Sequence, residues 1–191
     1  MDGGDARPLV LVCGVAGSGK TTTGRRVADR LGVPFADADE FHSPAAVAAM
    51  AAGVPLTDAD RAPWIARLAR LLAAWHDARC GGVLACSALR PAHRRALAGA
   101  APGLTAVLLT APEPILRARL AARRADPSGH TGHFFPPGLL ASQLAALDVP
   151  PGDALPRIDT GALGIDEAAA AVVALVWLGA VRSGGRGGAV L

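Results

Sequence analysis

The sequence predicts an α/β fold, a parallel β-sheet covered by helices on both faces, and three observations predict it. Short apolar runs alternate with helical stretches along all 191 residues. Those runs are continuously apolar, as strands buried on both faces are. The first run leads directly into Gly-Val-Ala-Gly-Ser-Gly-Lys-Thr, Gly14 to Thr21, which fits the phosphate-binding pattern G-x-x-x-x-G-K-[ST] at every fixed position. A three-layer nucleotide-binding fold of the P-loop type follows. It is expected as one domain over residues 1–181, with a lid near 125–136 and a disordered tail over 182–191.

Each element has its own signal. Leu9 to Cys13 is a short apolar run, read as a buried strand. Thr21 to Leu31 is a helix stopped by Gly32. Val33 to Ala36 is a second strand ending at Asp37, and Pro44 to Ala51 a short helix closed by Gly53. Asp60 to Arg79 is an amphipathic helix, with Trp64, Ile65, Leu68, Leu71, Leu72 and Trp75 on one face. Pro63 stands near its first turn, where a missing N–H does no harm. Both tryptophans therefore read as core. Gly81-Gly82 marks a turn into a third strand, Val83 to Cys86. Pro91 to Ala98 is a helix, Leu104 to Leu109 a fourth strand, and Glu113 to Arg124 a helix preceded by Pro112. After the Gly-, His- and Pro-rich loop comes a helix over Pro137 to Leu147, then a fifth strand over Ala154 to Ile158. Ile165 to Leu178 closes the fold.

The phosphate loop explains its own composition. Glycine lets the backbone turn tightly and approach a phosphate without a Cβ in the way. The loop N–H groups and the helix N-terminus then face the anion. Lys20 is the only lysine in the chain, and the other eighteen basic side chains are arginine. It supplies a point charge to the β- and γ-phosphates, and the Thr21 hydroxyl can ligate Mg²⁺. Gly14, Val15, Ala16, Gly17, Ser18, Gly19, Lys20, Thr21 and Thr22 are the expected nucleotide contacts, with ATP and Mg²⁺ as cofactors.

Composition narrows the partners. A net charge of +3 suits anionic small molecules, while the scattered arginines and few aromatics argue against nucleic acid. The longest apolar run, Ala168 to Val181, is 14 residues, short of the ~18–20 that span a bilayer, so no membrane partner is expected. Cys13, Cys80 and Cys86 lack metal-like spacing. Cys13 and Cys86 lie in apolar runs and read as buried thiols of a reducing cytoplasm.

The ligand crevice of such a sheet lies at the carboxyl ends of its strands. The loop at Gly14–Thr21, the acidic pair Asp37 and Asp39, and Cys86–Arg90 all follow strand ends. If the chain stays extended, Asp37 and Asp39 point opposite ways, one toward the metal and phosphates, the other toward an acceptor hydroxyl whose proton it accepts. The alternative is a polar turn in which Asp39 caps the next segment. The third strand carries no carboxylate of its own. Arg61 opens a helix against the macrodipole preference, which suits either a carboxylate clamp or an ion pair with Asp58 or Asp60. His42 alone reads equally as surface or site. Arg117, Arg119, Arg123 and Arg124 crowd the helix before the irregular loop, whose centre is Gly129 to Phe135. A lid carrying arginine could close over the phosphoryl group, with Arg123 as its phosphate contact.

These residues together resemble the P-loop gluconokinases, within the shikimate-kinase and nucleoside-monophosphate-kinase-like fold. The resemblance covers roughly Leu9 to Val176. It rests on Gly14–Thr21, on Asp37-Ala-Asp39 with His42, and on Pro55-Leu56-Thr-Asp58-Ala-Asp60-Arg61-Ala-Pro63-Trp64 following Met50 and Gly53. It continues through Cys86-Ser87-Ala88-Leu89-Arg90, Gly132-His133-Phe134-Phe135 and Ser142-Gln143. The phosphate loop is widespread; the Pro-Leu-x-Asp-x-Asp-Arg-x-Pro-Trp and Cys-Ser-Ala-Leu segments are far more specific. The resemblance implies transfer of the ATP γ-phosphate to the 6-hydroxyl of D-gluconate, giving 6-phosphogluconate and ADP. It implies sheet order 2-3-1-4-5, a lid and a homodimer. By position it makes Lys20 and Thr21 bind nucleotide and Mg²⁺, turns Asp39 to the acceptor, and places His42 and Arg61 on the acceptor side and Arg123 on the lid arm. Taken with the reading of the residues themselves, Lys20, Asp39 and Arg123 are expected to be catalytic, Thr21 and Asp37 to hold the metal, and Asp39, His42, Arg61, Arg90 and His133 to meet the acceptor.

The chain departs from the family at several places. Ala46 and Ala49 stand where an Asn and a Lys are usual, Arg90 where a Lys is, and His93-Arg94-Arg95 replaces Tyr-Arg-Asp. Arginine at 90 keeps the charge but changes the hydrogen-bond geometry. The lid is longer by about seven residues, Ala125 to Thr131. Two alternatives stay open: a kinase of the same fold acting on a shikimate-like acid or a nucleoside monophosphate, and a nucleotide-binding regulator that has lost catalysis. The Cys-Ser-Ala-Leu segment, without a Gly-Gly-Gly turn, argues against shikimate.

Overall fold

A computed structural model of the chain describes residues 7–125, 138–150 and 155–184. Its elements run β1 (Leu9–Cys13), α1 (Lys20–Leu31), β2 (Phe35–Asp37), α2 (Pro44–Ala51), α3 (Asp58–Asp77), β3 (Gly82–Ala85), α4 (Pro91–Ala100), β4 (Thr105–Thr110), α5 (Glu113–Ala125), α6 (Gly138–Ala146), β5 (Arg157–Asp159) and α7 (Ile165–Gly184). The five strands form one sheet in the order β2-β3-β1-β4-β5, as the resemblance implies. Every pairing is parallel.

The central strand shows why its sequence is continuously apolar. Successive side chains leave opposite faces of a strand. Leu9, Leu11 and Cys13 enter one core layer with Leu68 and Leu72 of α3 and Leu97 of α4. Val10 and Val12 enter the other with Val27 of α1 and Ala168, Val172 and Val176 of α7. A smaller third cluster joins Val15 and Ala16 of the phosphate loop to Leu116 and Leu120 of α5 and Leu140 of α6. The loop therefore rests on an apolar seat supplied by α5 and α6.

Element ends differ from expectation where capping decides them. The long helix α3 begins at Asp58, because Thr57 and Asp60 form a reciprocal capping box. Residues Ala38–Phe41 form a 3-10 turn instead of an extended continuation of β2, and the Asp37 side chain caps it. The closing helix continues to Gly184, past the expected boundary at 181. The expected lid at 125–136, apart from Ala125 at the end of α5, and the rest of the expected tail fall outside the described residues. Both tryptophans of α3 are packed: Trp64 is 3% exposed, and Trp75 lies against the core and over Gly82. Among the described residues no helix is long and apolar enough to cross a membrane.

Leu68 is fully buried between α3 and the sheet, whereas Val54 is 54% exposed. Leu68→Ala is expected to cost about 2–5 kcal/mol in urea unfolding. Val54→Ala should stay within about 0.5 kcal/mol of the parent. Equal midpoints for the two variants would contradict this account of the core.

Candidate active site

The phosphate loop leaves β1 at Gly14 and ends at Lys20, the first residue of α1. Two glycines are sterically required. At Gly14 (φ +146°) a Cβ would lie 2.5 Å from Ser18 Oγ and 2.6 Å from Leu109 O. At Gly17 (φ +82°) it would lie 3.0 Å from Leu116 O. The loop is closed by its own polar atoms, with Lys20 Nζ donating to Val15 O at 3.1 Å. Ser18 Oγ is buried and has no hydrogen-bond partner among the described residues.

Two neighbours hold the loop from outside. Arg119 of α5 donates through Nη1 to Gly17 O (3.3 Å) and Thr160 Oγ1 (3.0 Å), and through Nη2 to Thr160 O (2.7 Å). The buried Thr160 hydroxyl lies 3.0 Å from Ser18 O and 3.1 Å from Thr110 O. This strut ties the loop to the end of β5. On the other side, Ala16 N–H donates to Gln143 Oε1 of α6 at 2.7 Å. Neither tether was read from the sequence. Arg119 was one of four arginines on its helix, and Gln143 only part of a family motif. Their contacts span 102 and 127 residues of chain, and no local pattern reports them.

The acidic tip of β2 sits beside the loop. Thr21 Oγ1 donates to Asp37 Oδ2 at 2.6 Å, so the proposed metal-side pair does meet. Asp37 Oδ1 also accepts from Asp39 N–H at 3.1 Å. The expectation of an extended chain is corrected here. Asp37, not Asp39, is the capping carboxylate, and the 3-10 turn brings Asp39 to the wall of the cleft. His42 follows the turn and stacks on Trp64, ring centroids 4.5 Å apart and 10° between planes. Trp64 Nε1 in turn donates to Ala38 O at 2.7 Å.

Two adjoining chambers result. The first, about 180 Å³, is lined by the phosphate loop, Lys20, Thr21, Asp39, His42 and Arg123. The second, about 200 Å³, holds Arg61, Trp64, Arg90 and His93. Met50, Ser87 and Gln143 line both. Ser87 belongs to a loop in which Ala88 adopts φ +38°, a left-handed conformation unusual for alanine. Arg94 braces that loop by donating to Ala88 O and Leu89 O at 2.8 and 2.9 Å. Arg61 and Arg90, which line the second chamber, both pair with Asp58, one of the two ion-pair partners expected for Arg61. Ala46 is buried and Ala49 lines neither chamber; Val47 and Met50 present α2 to the cleft. Of the expected site residues, only His133 lies outside the described residues.

The electrostatics divide along the same lines. Burial pushes Cys13 up to about 12 and raises Cys86 well above the usual thiol range, so both are inert packing groups. Burial holds His42 below the ordinary imidazole value against the opposing pull of Asp39, and nearby Arg67 and Arg61 lower it further. His93 is lowered too, by burial and then by Arg61. Burial also lowers Arg61, against Asp58.

The chain is similar to known proteins over most of its length. A family model described as an AAA domain matches residues 9–150. A gluconokinase of Gluconobacter oxydans is 43% identical over 145 residues, covering 76% of this chain and 78% of its own. The thermosensitive gluconokinase of Escherichia coli is 34% identical over 143 residues, 75% of this chain and 73% of its own. The crystal structure of a gluconokinase from Sinorhizobium meliloti superposes with a TM-score of 0.81 at 34% identity, covering 96% of this chain and 99% of that one.

The lowered His42 gives a signed pH prediction. Unfolded chains bind a proton at about pH 6.5, while the folded imidazole binds it only at lower pH, so stability falls as pH drops below that value. His42→Phe keeps an aromatic ring against Trp64 and removes the titration. Its urea-unfolding free energy should fall less than the parent's between about pH 7.5 and 5.5. His93 leaves a residual slope of the same sign. An unchanged slope would count against a suppressed His42.

Proposed function

The chain belongs to the gluconokinase family of P-loop kinases, and from that premise we propose that it transfers the γ-phosphoryl group of ATP to the 6-hydroxyl of D-gluconate, giving 6-phospho-D-gluconate and ADP. The observation that carries the reading is the pair of chambers with a common wall. One contains the phosphate loop and Lys20; the other contains two arginines converging on one carboxylate. A polyphosphate suits the first and a small organic acid the second.

The proposed roles follow from chemistry and position. Loop N–H groups and Lys20 cradle the β- and γ-phosphates. Arg123, which reaches the first chamber from α5, neutralises charge on the transferring group. Asp39 accepts the acceptor's hydroxyl proton as its oxygen attacks phosphorus. His42 presents its ring to the same chamber. Arg61 and Arg90 take the acceptor carboxylate, a role now filled within the chain by Asp58. The groove of Arg119, Leu163 and Ile165 beside the loop is apolar enough on one side to receive the base of the nucleotide.

The residues also fit Mg²⁺. A hydroxyl and a carboxylate meet at 2.6 Å beside the phosphate site, and no group of three or more His, Cys, Asp or Glu forms a closed cage among the described residues. Mg²⁺ favours that kind of site, completing its shell with water and phosphate oxygens. Thr21 and Asp37 would hold it, and it would supply neutralisation of the β/γ-phosphate charge. A cytoplasmic setting belongs to the proposal, supported by three unpaired cysteines, two of them buried. So does a homodimer, which rests on the family resemblance.

Two measurements test the reading. With Mg-ATP, ADP release is expected on adding gluconate, and not with shikimate, AMP or buffer alone. Release with every acceptor, or with none, rejects it. Asp39→Asn should lower kcat by roughly 100-fold or more, as loss of a general base does, while ATP binding by calorimetry survives. Collapse of ATP affinity in that variant would transfer the role to Asp37.

A further inference from the structure

The wall between the two chambers holds a polar side chain that the roles above leave unused. Gln143 lies on α6 one turn from Leu139 and Leu140, which are 5% and 0% exposed. An amide on the buried face of a helix must have its hydrogen bonds satisfied. Its oxygen is: Oε1 accepts from Ala16 N–H at 2.7 Å. That contact also fixes the orientation of the amide, because a backbone N–H can only donate. The NH₂ group is therefore turned away from Ala16, and the side chain borders both chambers. Its support is rigid. Leu140 is packed in the cluster beneath the loop, and just beyond α6 Asp148 N–H donates to Leu89 O while Asp148 O accepts from Arg94.

The geometry points to Gln143 as a catalytic residue whose NH₂ group hydrogen-bonds the phosphoryl oxygens as they pass from the nucleotide chamber to the acceptor chamber. The inference rests on the kinase reading above and adds a contact to it. In the transfer, the acceptor oxygen–phosphorus bond forms and the bond from phosphorus to the β,γ-bridging oxygen breaks. The bridging electron pair leaves with ADP, and the hydroxyl proton goes to Asp39. Gln143 exchanges no proton. It offers preorganised donors at the midpoint of the path, where hydrogen bonds that strengthen in the transition state raise kcat. The contact with Ala16 keeps the loop and the donor in register, so nucleotide and acceptor meet one fixed amide.

Gln143→Glu separates this from a simple tether. A carboxylate can still accept from Ala16 N–H, but it has no donor and repels phosphate. Expected at pH 8 is a loss in kcat of roughly 100-fold, the scale of removing one transition-state donor. The ratio of variant to parent kcat should then rise as pH falls toward 5.5, because a protonated Glu regains an O–H donor. The parent's own profile divides out. Lys20 of α1, Asp39 and His42 after β2, Arg61 of α3, Arg90 and His93 at α4, and Arg123 of α5 face the two chambers in both proteins. Gln143→Met, with neither donor nor acceptor, should lose activity at every pH without such recovery. Thermal melts establish that both variants are folded. Activity of Gln143→Glu within about threefold of the parent at pH 8 would overturn the inference, since a tether alone would then suffice. So would a variant-to-parent ratio that stays flat with pH. If the parent fails on gluconate, the acceptor reading falls, and the same ratios are measured on whichever acceptor turns over.

Discussion

A row of backbone N–H groups must be held open at the end of the central strand, and the rest of the molecule is arranged around that requirement. Inside the loop, among the described residues, only Val15 O gathers bonds, from Ser18 N–H and Lys20 Nζ. The remaining support comes from outside the loop. Gly14 and Gly17 admit the turn against Leu109 and Leu116. An apolar seat beneath comes from α5 and α6. The Arg119–Thr160 strut and the Gln143 amide hold its carbonyl and amide edges. Preorganisation of this kind matters because an anion site that must first order itself spends binding energy on the ordering.

The second chamber, proposed to take the acceptor, is built by a different device. There the backbone is strained and the charges are provisionally satisfied. Ala88 is held left-handed by a braced loop, which brings Ser87 to the common wall of the chambers. Arg61 and Arg90 share Asp58, so neither guanidinium is left without a carboxylate before an organic acid arrives. These pairs are partly exposed and contribute little to stability. Their value lies in keeping two cations convergent. The His42–Trp64 stack joins the two sides, since Trp64 also anchors the turn that carries Asp39.

Much of this was legible in the chain, and the reasons are physical. A strand buried on both faces must be continuously apolar, so β1 announces itself through Leu9 to Cys13, and its two core layers confirm the reading. A phosphate loop needs glycine, lysine and threonine at set spacing, so Gly14 to Thr21 does the same. Asp37, at the tip of β2, does meet Thr21 of the phosphate loop, as two groups at neighbouring strand ends can. The legibility stops at Asp39. Alternation along an extended strand predicts the direction of a side chain only while the strand continues, and the Asp37 carboxylate ends it by capping a 3-10 turn. The start of α3 was missed by two residues for a similar reason. Thr57 and Asp60 satisfy each other's backbone, a local bond that apolar periodicity does not see.

By itself the sequence determined the layer architecture, the phosphate loop, the acidic tip beside it and the kinase family. Each of these is written in residues close together in the chain, whose spacing the backbone geometry converts directly into shape. Only the tertiary structure decided that Arg119 braces the loop, where Asp58 spends its charge, and that Gln143 stands between the two chambers. Those outcomes depend on distances between elements far apart in sequence, set by how side chains fill the space between helices and sheet. That packing is a property of the whole core, which no single segment encodes.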